Sequence, residues 1–149
     1  MKEISEVDVR RAAINLLARR EHSKHELSLK LRKRFSGQED FIVEEVDKLE
    51  GEGLQSDVRL GEAFIRARSN RGQGPIRIKS ELRGKGVSAD AIALLFEQCE
   101  VDWFELVQIV ASKKFRDEEL RTIDAKGKAK LSRFLQQRGF SFEHISSLY

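Results

Sequence analysis

The sequence predicts an all-α protein built as three tandem three-helix repeats, forming an elongated, curved array. The first observation is a pattern that occurs three times. It reads Leu27-x3-Leu31-x2-Arg34-Phe35, then Ile78-x3-Leu82-x2-Lys85-Gly86-Val87, then Leu131-x3-Leu135-x2-Arg138-Gly139-Phe140, at offsets of 51 and 53 residues. The last two copies agree further, with Ile92 following Val87 as Ile145 follows Phe140. The second observation is composition: one proline in 149 residues, with abundant Ala, Leu, Glu, Lys and Arg, favours helix throughout. The third is that each helical segment carries a single apolar stripe and is short enough to be marginal alone. Such helices must bury their stripes within a unit and against its neighbours.

The elements follow in order. Ser5 and Asp8 form a capping box before Val9, Ala12, Ala13, Leu16 and Leu17. Ser23 and Glu26 repeat that signal before Leu27, Leu31 and Phe35. A third helix begins near Phe41, carries Ile42, Val46 and Leu49, and stops at Gly51 and Gly53, closing a first repeat over 1–54. The second repeat, 55–100, opens at Ser56-Asp57, runs through Leu60, Ala63, Phe64 and Ala67, and breaks at Arg71-Gly72-Gln73-Gly74. Pro75 starts the next helix, where its missing donor costs nothing. That helix presents Ile78 and Leu82 and ends at Gly84 or Gly86, and another follows from Ser88 through Ile92, Leu95 and Phe96. The third repeat, 101–149, opens near Asp102 with Phe104, Val107, Val110 and Ala111. A charged segment, Lys113 to Arg121, precedes the helix of Leu131 and Leu135, and Ser141 caps a short last helix with Ile145 and Leu148. Leu27, Leu31, Ile78, Leu82, Leu131 and Leu135 are the expected core of the repeats.

The charge balance, 28 basic against 25 acidic residues, is too mild for a nonspecific coat on DNA. The basic residues are nevertheless clustered. Arg66, Arg68, Arg71, Arg77, Lys79, Arg83 and Lys85 are accompanied by one acid, Glu81. Arg68 with Arg71, and Lys79 with Arg83, have the spacing of one helical face. Gly72 and Gly74 allow close backbone approach, and the helix opened by Pro75 offers free amides to an anion. This patch suits DNA phosphates or the acidic side chains of a protein partner, and equally an ordinary solvated face. It has no interleaved aromatic residue, so base stacking is not expected. Lys30, Arg32, Lys33 and Arg34 make a second cluster spread around a helix, and Lys126, Lys128, Lys130 and Arg133 a third.

Other chemistries find little support. Cys99 is the single cysteine, so no disulfide within the chain is expected, and a reducing compartment is. No apolar run approaches a membrane span and the N-terminus lacks signal-peptide character, which makes the cytoplasm the expected location. His22 and His25 lack a third ligand at recognisable spacing, so no metal and no other cofactor is expected. Cys99 has no histidine nearby in sequence, and no His, Asp, Glu or Cys set converges as an enzyme requires. Trp103 and Phe104 are expected to pack between repeats.

The residues of the repeat also carry a resemblance to a known family. In the middle repeat Ala63, Arg71, Gly72, Pro75, Ile78, Glu81, Leu82, Lys85, Gly86, Val87 and Ile92 resemble the central pattern of the bacterial RecX regulatory proteins. The first repeat adds Ser23, Glu26, Leu27, Leu31, Leu49, Gly53 and Leu54; the third adds Leu135, Arg138, Gly139, Phe140 and Ile145. Phe35 departs from the pattern, standing where the other copies have glycine, and the third repeat has extra polar sequence between its first two helices. The resemblance implies a monomeric, non-enzymatic regulator that binds the active RecA filament on single-stranded DNA and lies along its groove. It implies inhibition of strand exchange, ATP hydrolysis and stimulated repressor cleavage, with weak direct DNA binding. A directly DNA-binding helical protein acting through phosphates is the alternative.

Overall fold

A computed structural model describes residues 3–149, apart from the side chains of residues 117 and 118. Those residues form ten helices and no strand. The chain divides into two compact units, Met1–Ala63 with Leu82–Glu97 and Phe64–Glu81 with Gln98–Tyr149.

In the first unit, α1 (Glu6–Arg19), α2 (Lys24–Arg34) and α3 (Glu39–Gly51) pack together. Both predicted capping boxes are present. The Ser5 amide donates to Asp8 Oδ2 at 2.9 Å, and the Ser23 amide to Glu26 Oε1 at 3.0 Å. These caps fix the helix phase, which turns Val9, Ala12 and Ala13 of α1 toward Leu27, Leu31 and Phe35 of α2 and Ile42, Val46 and Leu49 of α3. Leu16, Leu17 and Phe41 border this core. Gln55 then ties the exit from α3 to the start of α2, its amide donating to the His22 carbonyl at 3.2 Å.

The next three helices are α4 (Asp57–Asn70), α5 (Pro75–Gly84) and α6 (Ala89–Gln98). The division between the two units falls within α4 and within α5. Leu60, Ile65, Ile78, Leu82, Val87, Ile92 and Leu95 are their buried apolar side chains.

The second unit is completed by α7 (Trp103–Lys114), α8 (Asp117–Arg121), α9 (Ala125–Gln137) and α10 (Phe142–Ser146). Asp102, Asp124 and Ser141 cap α7, α9 and α10 through hydrogen bonds to the amides of Glu105, Gly127 and His144. The core here is Val107, Val110, Ala111, Leu131, Leu135, Phe140 and Ile145, with Leu120 and Ile123 packed against it. The charged spacer before α9 is therefore not merely a connector: it holds a short helix, α8, and contributes apolar contacts through Leu120. Leu27, Leu31, Ile78, Leu82, Leu131 and Leu135 all have 0% exposure.

Candidate partner-binding surfaces

The clustered cations divide by what holds them. In the second unit Glu81 gathers two arginines, with Arg77 Nε at 3.2 Å and Arg68 Nη1 at 3.6 Å. The Arg68 guanidinium also rests over the Phe64 ring, 4.7 Å from its centroid. An aromatic ring therefore does lie within the middle patch, although covered by a cation. Arg71 falls outside α4, in the turn that follows Asn70, so it does not share a helical face with Arg68. Its carbonyl accepts from Arg138 Nη1 at 3.4 Å, which leaves its own guanidinium exposed. Arg66 is exposed as well, and Lys79 is half-buried.

In the first unit Arg83 is exposed while Lys85 is tied down. Lys85 Nζ lies 3.1 Å from Glu26 Oε2, and its carbonyl accepts from Ser23 Oγ at 2.5 Å. Glu26 also receives Arg20 at 3.1 Å. Burial opposes the ionised form of Glu26, yet hydrogen bonds from the Ser23 amide, Arg20 and Lys85 outweigh it and bring its carboxyl down to about 2. Sequence alone offered Glu26 only as a capping residue. No local signal places it beside a lysine 59 positions away.

Lys30 of the second cluster bonds His22 Nε2 at 2.9 Å, and burial, then the charge of Arg20, lower its pKa. His22 is itself buried, with Nδ1 bonded to the Arg20 carbonyl at 3.0 Å. Both ring nitrogens are thus engaged in fold-holding contacts rather than directed at a ligand, and His25 is exposed on the other side of the helix start. Among the described residues no three His, Cys, Asp or Glu side chains gather as a metal site, and no helix is long and apolar enough to cross a membrane. Arg32, Lys33 and Arg34 are exposed at the end of α2, with the Arg34 guanidinium 5.4 Å from the Phe35 centroid.

In the third cluster Lys126, Lys128, Lys130 and Arg133 are all exposed, and Lys128 lies over the Tyr149 ring. Phe104 packs edge-on against His144 within the second unit, with 43% of its surface exposed. It is not a wedge between repeats, because α7 turns Val107, Val110 and Ala111 inward and leaves position 104 at the rim.

These features define a class: an all-helical protein of tandem three-helix groups, whose unpaired cations sit at helix ends and turns. Two family models match it, "RecX, second three-helix domain" over residues 56–94 and "RecX, third three-helix domain" over 100–148. Regulatory protein RecX of Pseudomonas entomophila is 45% identical over 143 residues, covering 95% of this chain and 90% of the relative. That of Pseudomonas putida strain GB-1 is 43% identical over 95% and 89%. The crystal structure of RecX from Lactobacillus salivarius superposes with a TM-score of 0.81 at 24% identity, covering 96% of this chain and 93% of that one, and shares the fold. The chain belongs to the RecX family of regulatory proteins.

Proposed function

We propose that this protein binds the RecA filament assembled on single-stranded DNA and inhibits its recombinase, ATPase and coprotease activities, without catalysis of its own. The supporting observation is 45% identity, over nearly its whole length, to a relative named for regulation. Residues 1–54, 55–100 and 101–149 act as three repeats of one cytoplasmic monomer. A filament presents the same protomer surface repeatedly, so a protein with repeated units gains effective concentration by touching more than one protomer. Within the basic clusters, the cations without carboxylate partners carry the contact: Arg66 and Arg71 in the second unit, Arg32 to Arg34 and Arg83 in the first.

The test is titration of the protein into a DNA-stimulated RecA ATPase assay, with binding to filament and to bare single-stranded DNA measured at matched salt. Inhibition accompanied by tighter binding to the filament is expected. Equal affinity for bare DNA and filament would instead favour a protein acting on DNA through phosphate contacts.

A further inference from the structure

One docking joint is used twice in this molecule. In the first unit the start of α2 seats on the turn after α5. Ser23 Oγ donates to the Lys85 carbonyl, Glu26 meets the Lys85 ammonium, and a methyl group added to Gly86 would overlap His25 Cβ. In the second unit the start of α5 seats on the turn after α9. The Gly74 amide donates to the Arg138 carbonyl at 2.7 Å, the Ile76 amide donates to the Gly139 carbonyl at 2.9 Å, and a methyl group on Gly139 would overlap Arg77 Cβ. Lys85 and Arg138 hold the same place in the repeat, three residues beyond Leu82 and Leu135. Gly86 and Gly139 both turn the chain with positive φ, +83° and +99°.

The turn after α2 is a third turn of this kind, and it is uncovered. Gly37 has φ +83°, as Gly86 does, and an added Cβ there would meet no atom within 4 Å. Arg34, three residues beyond Leu31, is the counterpart of Lys85 and Arg138. Beside it an open groove between α1 and the end of α2 is lined by Ile4, Asp8, Arg11, Asn15, Arg34 and Phe35, with Glu3 at its edge. Asp8 is already engaged by the Ser5 amide. Among the described residues Arg11, Arg32 and Lys33 have no ion pair, so the mouth of the groove is cationic.

We propose that this turn and groove form a socket for the acidic start of a helix on a partner protein: a helix capped by Ser or Gly, with a carboxylate in its first turn. The two filled joints supply the occupant, since each receives a helix start, and Lys85 is met by the acid at the third position of α2. Arg34, with Arg11 beside it, receives that carboxylate here. Phe35, in place of glycine, moves the point of close approach along the turn to Gly37. A second copy of this chain is a poor occupant. Its corresponding helix start, that of α9, has no acid in the first turn, presents Lys126 and Lys128, and keeps Asp124 on its own Gly127 amide. The inference stands apart from the RecA reading, because no particular protein need supply the helix.

The probe is a side-chain-stapled helical peptide with the sequence of residues 21–31, which contains the chain's own Ser23–Glu26 cap. It is titrated into the full-length protein while backbone amide shifts are followed. Shifts at Arg11 and at Arg34 to Gly37 are expected, with roughly tenfold weaker binding when lysine replaces the peptide's glutamate at the Glu26 position. Arg11→Glu with Arg34→Glu should weaken binding as much. Should that variant lose its helical circular dichroism, Gly37→Asn, which tolerates positive φ and fills the open space, takes its place with the same expected loss. Shifts confined to Gly86 or Gly139, no shifts at millimolar peptide, or binding indifferent to the acid would overturn the proposal. So would a wild-type dimer in sedimentation that Arg11→Glu with Arg34→Glu converts to monomer, since the socket would then take a second copy.

Discussion

The Lys85 ammonium lies 3.1 Å from the Glu26 carboxylate, joining side chains 59 positions apart. Both are largely enclosed, with 25% and 16% of their side chains exposed. The pair therefore sits in a setting where Coulomb attraction is less screened than at an open surface. It couples the second helix of the first repeat to the turn that follows the second helix of the next.

The first prediction is a pH dependence traceable to Glu26. Its folded pKa, about 2, lies below that of an unfolded glutamate, about 4.3. The unfolded state binds the proton more readily, so the stabilisation is present above the unfolded value and is lost as pH falls through the folded one. Glu26→Gln should cost about 1–3 kcal/mol at pH 7 and much less near pH 2, measured by urea denaturation at both. The same deficit at both pH values would show that the carboxylate's charge is not what holds the joint.

His22 titrates in the opposite chemical sense with the same sign of effect. Burial chiefly, with the charges of Arg20 and Lys30, lowers its pKa below the usual histidine value. With Nδ1 on the Arg20 carbonyl and Nε2 facing the Lys30 ammonium, the neutral ring is the form that fits. The folded protein thus resists protonation of His22, and stability should fall as pH drops below about 6.5, the unfolded histidine value. Nitrogen chemical shifts at pH 6 should report a neutral ring protonated at Nδ1; an imidazolium signal there would refute the arrangement.

Gly139→Ala should destabilise the second unit by about 1–3 kcal/mol, because φ is +99° and the new methyl would meet Arg77. Gly74→Ala should do likewise, its Cβ falling 2.5 Å from the Gly139 carbonyl carbon. Gly84→Ala is the control: its added Cβ meets nothing within 4 Å, and it should leave stability unchanged or raise it slightly. Chemical denaturation of the three variants side by side measures the difference.

Arg66 and Arg71 should matter more to RecA inhibition than Arg68 and Arg77, which Glu81 already holds. Reversing the first two to Glu is expected to raise the half-inhibitory concentration about tenfold or more, with helicity kept. Replacing Arg68 and Arg77 by Ala should change it by less than about threefold and cost under about 1 kcal/mol of stability. Parallel ATPase titrations of the two double variants, with circular dichroism of each, compare them directly.

Much of this was legible in the residues themselves. The Ser5–Asp8 and Ser23–Glu26 boxes are local, since a cap and its partner lie within one turn, and the structure contains both. The apolar positions at offsets of 51 and 53 mark side chains with no exposed surface, because helical period and burial are coupled at 3.6 residues per turn. The short helix α8 escaped notice because five residues, mostly charged, carry no periodic signal. Arg71 was assigned to a helical face by spacing alone, though the helix had ended one residue earlier.

The sequence by itself determined the helices, their caps, the side chains they bury and the kinship of the chain, for each depends on neighbours within a turn or on ordered spacing. Only the tertiary structure decided which cations are committed and which are free. Arg77 and Glu81 stand one helical turn apart and could be paired by counting; Lys85 and Glu26 could not. It was also the tertiary structure that distinguished Gly86 and Gly139, each pressed by a preceding helix start, from Gly37, which faces open space at nearly the same backbone angle. A glycine's sequence context specifies a turn, but what lies against that turn depends on how distant helices pack, and packing is a property of the whole chain.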